Sequence, residues 1–234
     1  MKMTEALKGN TYPGRGVAIG TSSDGKKGLI VYFIMGRSIN SRNRVFVPDG
    51  EGIRTEAYDP ALLSDPSLII YSPVRRVNGC TVVTNGDQTD TIAEHLAVFG
   101  SFESALRTRT FEPDAPNFTP RISGVLYPDG GYALSILKSG DPDGKTVVRE
   151  FFDYPETAPG KMRLIHTYVG DGKPLPSFKG EPRDVEPDAD GPVALAAAVW
   201  NALDPDNRVS LYAAAVDLAT GKIESKIINA HKKS

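Results

Sequence analysis

Polar and ionisable side chains concentrate in two stretches of this chain. Asn85-Gly-Asp-Gln-Thr-Asp90 links a short apolar strand pattern, Cys80–Thr84, to a helical pattern that opens at Thr91. Asn85-Gly86 suits a tight turn, because Gly accepts positive φ and Asn is the next best residue there. Thr91 and Glu94 have capping-box spacing, and Ile92, Leu96 and Phe99 fall on one face of the helix. Asn85, Asp87, Gln88, Thr89 and Asp90 would then gather beside free helix N–H groups, a setting that favours a polar or anionic ligand. An ordinary capped strand-to-helix turn accounts for the same residues. The second stretch, Gly36-Arg-Ser-Ile-Asn-Ser-Arg-Asn-Arg44, carries three arginines directly after an apolar run. They could grip a phosphate through bidentate hydrogen bonds, or stand solvated in a loop.

The elements that must position these residues are mostly strands. Gly14–Gly20 and Gly28–Gly36 read as a hairpin with Asp24-Gly25 at its turn. Leu29-Ile-Val-Tyr-Phe-Ile-Met35 is continuously apolar, so both faces of that strand should be covered. Further strands are expected at Arg44–Val47, Ile53–Tyr58, Leu68–Tyr71 continuing through Val74–Val77, Ile122–Tyr127, Tyr132–Leu137, Val147–Phe152, Arg163–Val169, Val209–Val216 and Lys222–Ile228. Asn78-Gly79 and Asp129-Gly-Gly are hairpin turns, and Ala61–Asp65 reads as a helical turn closed by Pro66. Ser101 opens a second helix with Phe102, Ala105 and Leu106 on one side, with Gly100 as the C-cap of the helix before it. Phe111–Pro120 is a Pro-rich connector. Gly191-Pro192 starts a third helix, Val193–Leu203, apolar nearly all round and expected to be buried. Residues 1–10 read as a flexible lead-in and 171–192 as a Pro-rich loop or insertion. Many short strands with about three helices give an α+β class with mainly antiparallel sheets, read as a single domain over 1–234.

Composition excludes several function classes. A net charge of −2 with scattered Lys and Arg gives no electrostatic case for nucleic acid. Cys80 is the sole cysteine, so an internal disulfide and a multi-cysteine metal site are both excluded, and its place in an apolar strand reads as a buried thiol. His95, His166 and His231 share no metal-ligand spacing, and the expected metal and cofactor content is none. No apolar run approaches 18 residues, and no leader pattern is present. The expectation is a soluble cytoplasmic protein with no membrane partner, whose Ala-rich helix and apolar strands would suit a homo-oligomer.

Several separated segments occur together in one order: Tyr12-Pro-Gly-Arg15, Gly36-Arg-Ser38 with Asn40 and Arg42, Tyr71, Thr84-Asn-Gly86 with Thr89-Asp-Thr-Ile92, and Asn117-Phe-Thr-Pro-Arg-Ile122. This series resembles the archaeal-type inosine monophosphate (IMP) cyclohydrolase family over roughly residues 11–125. The N-terminal ten residues, Arg44 and the 171–192 stretch depart from the family pattern. The resemblance implies a four-layer αββα sandwich like that of the N-terminal-nucleophile hydrolases. It also implies a purine ribonucleotide substrate: 5-formamidoimidazole-4-carboxamide ribonucleotide would close its second ring, lose water and give IMP. Carried over residue by residue, Arg42, Tyr71 and Glu112 are the catalytic candidates. Tyr71 would donate to the developing oxyanion, Arg42 would polarise the same end, and Glu112 would act as base. The substrate-binding candidates are Ser38, Asn40, Gly86 and Asn117, with Asn85, Thr89 and Asp90 at ribose or base edges and Arg37, Arg75 and Arg121 at the phosphate. Lone tyrosines are commonly core residues, and surface ion pairing accounts equally for Arg75 and Arg121.

Two other functions compete. An amidohydrolase of the same fold would need Cys, Ser or Thr at its mature N-terminus, which Met1-Lys2-Met3 lacks without a cut before Thr4 or Thr11. A purine-nucleotide-binding protein without turnover would keep the pocket residues and lose the chemistry.

Overall fold

The computed structural model describes residues 1–63, 66 and 68–231. β1 (Arg15–Thr21) and β2 (Lys27–Met35) form the expected antiparallel hairpin, with Gly25 at φ +71° in its turn. β12 (Arg208–Asp217) pairs with the other edge of β2 and is followed outward by β13 (Ile223–Asn229). β10 (Met162–His166) and β11 (Arg183–Val185) extend the β1 side, giving a six-stranded sheet in the order β11-β10-β1-β2-β12-β13. The second sheet has seven strands in chain order: β3 (Arg44–Asp49), β4 (Gly52–Ala57), β5 (Val74–Val77), β6 (Cys80–Thr84), β7 (Arg121–Leu126), β8 (Tyr132–Ser139) and β9 (Val147–Tyr154). The pairings between these named strands are antiparallel, as hairpin-linked chains require.

The apolar run in β2 explains the layering. Because side chains alternate along a strand, Ile30, Tyr32 and Ile34 point one way and Leu29, Val31, Phe33 and Met35 the other. The first set packs with Val17, Ile19, Phe46, Val83, Ile122 and Leu134 between the two sheets. The second packs under α1 (Met3–Leu7) and α5 (Pro192–Ala202), through Met3, Leu7, Leu195, Ala196 and Val199. On the far side of the seven-stranded sheet, Val82, Val125 and Leu137 meet Ile92 of α3 (Gln88–Ala97) and Phe102, Ala105 and Leu106 of α4 (Phe102–Arg107). The result is an α+β sandwich of two antiparallel sheets between helical layers.

Several local expectations are corrected. Residues 1–10 are no loose lead-in: Met3 and Leu7 are buried, and Met3 N–H donates to Glu186 O at 2.9 Å. The 171–192 stretch carries β11 and buries Leu175, Phe178 and Val185. Leu68–Tyr71 is a turn rather than a strand, with Ile69 and Ile70 N–H groups on Pro66 O. A single 3-10 turn spans Pro60–Leu62, while Ser64, Asp65 and Ser67 lie outside the described residues. The helix after Asn85 starts at Gln88, so Thr91 sits inside it and caps nothing. Phe99 lies beyond that helix at φ +60°, its side chain in solvent, while Gly100 N–H closes onto His95 O at 2.8 Å. That is the Schellman pattern, with Phe in the position Gly usually takes. α5 buries one face only and leaves Val193 exposed, because nothing among the described residues covers its outer side.

His166 ends β10 fully buried, its Nδ1–H donating to Tyr168 O at 2.7 Å and its ring edge-on to Phe178. Burial pushes its pKa down to about 4. The unfolded chain therefore binds a proton near pH 6.5 that the folded chain refuses, and stability is lost as pH falls from there toward 4. In denaturant titrations, wild type should lose about 1.4 kcal/mol more per pH unit across that window than His166→Asn, whose amide keeps a donor without titrating.

Candidate active site

Arg15 opens β1 where the segment Tyr12–Arg15 lies against Thr167 and Tyr168. Its N–H donates to Thr167 Oγ1 at 3.1 Å, and its carbonyl accepts from Thr167 N–H at 2.9 Å. Gly14 must be glycine here: its φ is +79°, and a Cβ would stand 2.2 Å from Thr167 Oγ1 and 2.5 Å from the Tyr168 ring. The Arg15 guanidinium reaches the Glu112 carboxylate at 3.7 Å, with side-chain exposures of 11% and 2%. Glu112 comes from the Pro-rich connector, whose ends are tied by Glu112 N–H on Thr119 O at 2.9 Å. Burial raises the Glu112 pKa, against the opposing pull of Arg15, Arg121 and Arg44. For Arg15, burial disfavours the cation, but Glu112 and the nearby tyrosines outweigh it and hold the group above its ordinary value.

Arg44 is the largest fully buried side chain described. Its Nε donates to Ser41 O at 2.9 Å and one Nη to Met35 O at 3.5 Å. Burial, then repulsion from Arg15, lowers its pKa. Tyr71 stands beside it, its hydroxyl 2.8 Å from that of Tyr32, and burial raises the Tyr32 pKa well above the ordinary phenol value. Thr55 holds the Tyr71 backbone on both sides: Tyr71 N–H donates to Thr55 Oγ1 at 2.8 Å, and Thr55 N–H to Tyr71 O at 2.9 Å. Among the described residues, Arg15 Nε and Arg44 Nη1 are buried without hydrogen-bond partners. Two unsatisfied cationic donors in a nearly dry cluster with one carboxylate suit a bound anion, or an oxygen that gains negative charge during a reaction.

Of the residues expected from sequence, Tyr71, Glu112 and Arg121 sit at this cluster. Arg121 is coupled to Glu112 and fixed by Gln88 Oε1 at 2.7 Å and Asp87 at 2.6 Å. Asn85 is fully buried with its amide engaged on Pro120 O at 2.9 Å, Ile122 N–H at 2.9 Å and Gln88 at 3.0 Å. Thr89 is buried against Thr84 at 2.7 Å, and a Cβ on Gly86 would lie 2.5 Å from the Arg121 guanidinium. The turn thus clamps α3 onto β7 and aims Arg121. Arg42 is exposed and bonded to Gly36 O at 2.9 Å and Asn207 at 3.2 Å, while its neighbour Arg44 goes inside. Arg75 pairs with Asp90 at 2.6 Å on the surface. Arg37 lies over the Tyr12 ring at 4.8 Å and is ion-paired with Asp171. Ser38 caps α2 (Ile39–Arg42), Asn40 Oδ1 is buried and unpartnered, and Asn117 Oδ1 accepts Leu175 N–H at 3.0 Å.

Arg15, Arg44, Tyr12, Tyr32 and Tyr168 join the cluster without having been singled out for a role. Strand periodicity carried a signal for two of them: Arg44 shares a face with Phe46, and Tyr32 with Ile30 and Ile34. Tyr168 had none, since only the β1–β10 pairing brings it near Arg15.

A family model described as "IMP cyclohydrolase-like protein" matches residues 12–221. The chain belongs to this family. Proteins named IMP cyclohydrolase are among its relatives. The one from Methanopyrus kandleri is 30% identical over 184 residues, covering 72% of this chain and 89% of its own. Those from Methanosphaera stadtmanae and Halobacterium salinarum are 28% and 31% identical, covering 67% and 55% of this chain and 73% and 63% of theirs. The family match runs well past residue 125, through β10 with His166 at its end and Tyr168 just beyond it.

The buried Arg44, its Nη1 without a partner, gives this candidate site a testable signature. Removing a buried, uncompensated charge should not weaken the empty protein, so Arg44→Met should melt at or above wild type. Sulfate should raise the wild-type melting temperature more than that of Arg44→Met, the salt's general effect being common to both.

Proposed function

We propose that this chain is an IMP cyclohydrolase that closes 5-formamidoimidazole-4-carboxamide ribonucleotide to IMP with loss of water. The observation carrying this reading is the buried Glu112 carboxylate beside Arg15, in the same cluster as Arg44 and the Tyr71 phenol. Both reacting groups belong to one substrate, so holding the carboxamide nitrogen against the formyl carbon removes most of the entropic barrier. Glu112 takes a proton from that nitrogen as the N–C bond forms. The formyl oxygen becomes an oxyanion, which Tyr71 and the unpaired guanidinium N–H groups stabilise. Glu112 returns its proton to that oxygen, the formamido N–H gives up the second proton as this nitrogen forms the C=N bond, and the C–O bond breaks to release water. Arg44 fills the role first expected of Arg42, because it is the buried one of the two. Arg37 over the Tyr12 ring and Arg121 beside Glu112 adjoin the cluster and remain the candidates for the 5′-phosphate, although Asp171 and Asp87 pair with them, whereas Arg75 pairs with Asp90 on the surface.

Purified protein should convert the formylated ribonucleotide to IMP, and a rate no faster than the uncatalysed one overturns the assignment. Tyr71→Phe should lower kcat about 100-fold with the melting temperature retained. Since Glu112 must be ionised to act as base and burial raises its pKa, kcat/KM should fall with decreasing pH from above the ordinary carboxylate range. Glu112→Gln should abolish that limb together with most of the activity.

A further inference from the structure

Tyr168 lies between the two halves of the candidate site. On one side its backbone N–H donates to Pro13 O at 3.2 Å, and its ring stacks on Tyr12 with centroids 5.9 Å apart. On the other its hydroxyl meets Thr119 Oγ1 at 2.5 Å, and Thr119 is the backbone partner of Glu112. Thr119 in turn bonds Asp114 through both its hydroxyl and its N–H, the latter at 2.6 Å. Directions follow from donor counting. A carboxylate only accepts, so the single Thr119 hydroxyl proton goes to Asp114, and Thr119 Oγ1 must accept from Tyr168. The Tyr168 oxygen is left as an acceptor in the neighbourhood of the Arg15 cation, with which it is electrostatically coupled. The chain therefore runs from a buried phenol to a partly exposed carboxylate and ties β1 to the connector that carries Glu112.

We propose that Tyr168, Thr119 and Asp114 act as positioning residues for the reaction, setting the distance and the charge balance of the Arg15–Glu112 pair. This rests on the cyclohydrolase reading above. Glu112 faces cations from three strands: Arg15 of β1, Arg44 of β3 and Arg121 of β7. Asp114, on its own connector, pushes its pKa the other way. Removing the Asp114 charge therefore lets Glu112 ionise at lower pH, while Asn at that position still offers Thr119 an acceptor.

The test compares Tyr168→Phe, Thr119→Val, Thr119→Ser and Asp114→Asn, each first shown to fold by thermal unfolding. Tyr168→Phe and Thr119→Val should each lower kcat about tenfold with KM within about threefold of wild type, and Thr119→Ser, which keeps the hydroxyl, should restore the rate. Glutamate carboxyls labelled with carbon-13 and titrated by NMR, with Glu112→Gln assigning the signal, should show Glu112 titrating at lower pH in Asp114→Asn. That second arm needs no turnover, so an inactive wild type would sink the cyclohydrolase reading and leave the titration to judge the chain. An unmoved Glu112 titration in Asp114→Asn overturns the proposal. So does a kcat within about twofold of wild type in both Tyr168→Phe and Thr119→Val.

Discussion

The arrangement of this protein depends on burying a carboxylate against more positive charge than it can neutralise. Glu112 has Arg15 at 3.7 Å and is pulled on further by Arg44 and Arg121. Removing such groups from water costs several kcal/mol each, and a pair 3.7 Å apart does not by itself repay it. The surroundings supply the remainder by making the geometry rigid. Gly14 lets the chain pass under Tyr168, the connector closes on itself through Thr119, and β3 carries Arg44 into the gap beside Phe46. Arg15 Nε and Arg44 Nη1 are still left without partners. A protein selected for stability alone would have little reason to keep two unmatched cationic donors dry. A protein that must hold an anionic ligand or a developing oxyanion does.

The Asn85 turn shows how a polar cluster can be used to hold the protein together beside a candidate site. Its amide makes contacts with Pro120, Ile122 and Gln88, all inside the protein. What it delivers is Arg121, threaded past Gly86 where a side chain would collide and held by Gln88 and Asp87. Arg109 also donates to Asp87, so two guanidinium groups overcome burial and keep that carboxylate's pKa low. The turn converts a helix start into a fixed mount for one cation at the edge of the Glu112 cluster.

The Pro-rich segment after Val169 has a comparable place at the rim. Asp171 pairs with Arg37, and the Leu175 N–H lies on Asn117 of the Glu112 connector. Phe178 is buried against His166, and its N–H donates to Thr167 O at 3.0 Å. One segment thus touches the arginine loop, the connector and the end of β10. A stretch whose composition reads as a surface loop in fact borders the site on three sides.

The sequence by itself determined the local architecture. Asp24-Gly25, Asn78-Gly79 and Asp129-Gly130-Gly131 define hairpins because turn chemistry acts over four residues. The unbroken apolar run of β2 required cover on both faces because side chains alternate along a strand. The resemblance to the cyclohydrolase family pointed to Tyr71, Glu112 and Arg121 as candidates, though not to the reason each is where it is. Only the tertiary structure decided which arginine goes inside, since Arg42 and Arg44 differ by two residues and by a helix end between them. It alone brought Thr167 and Tyr168 to Arg15, across 152 residues for the Arg15–Thr167 hydrogen bond. Alternation along a strand says which face a side chain takes, but which residues meet across that face is a property of sheets packing in space.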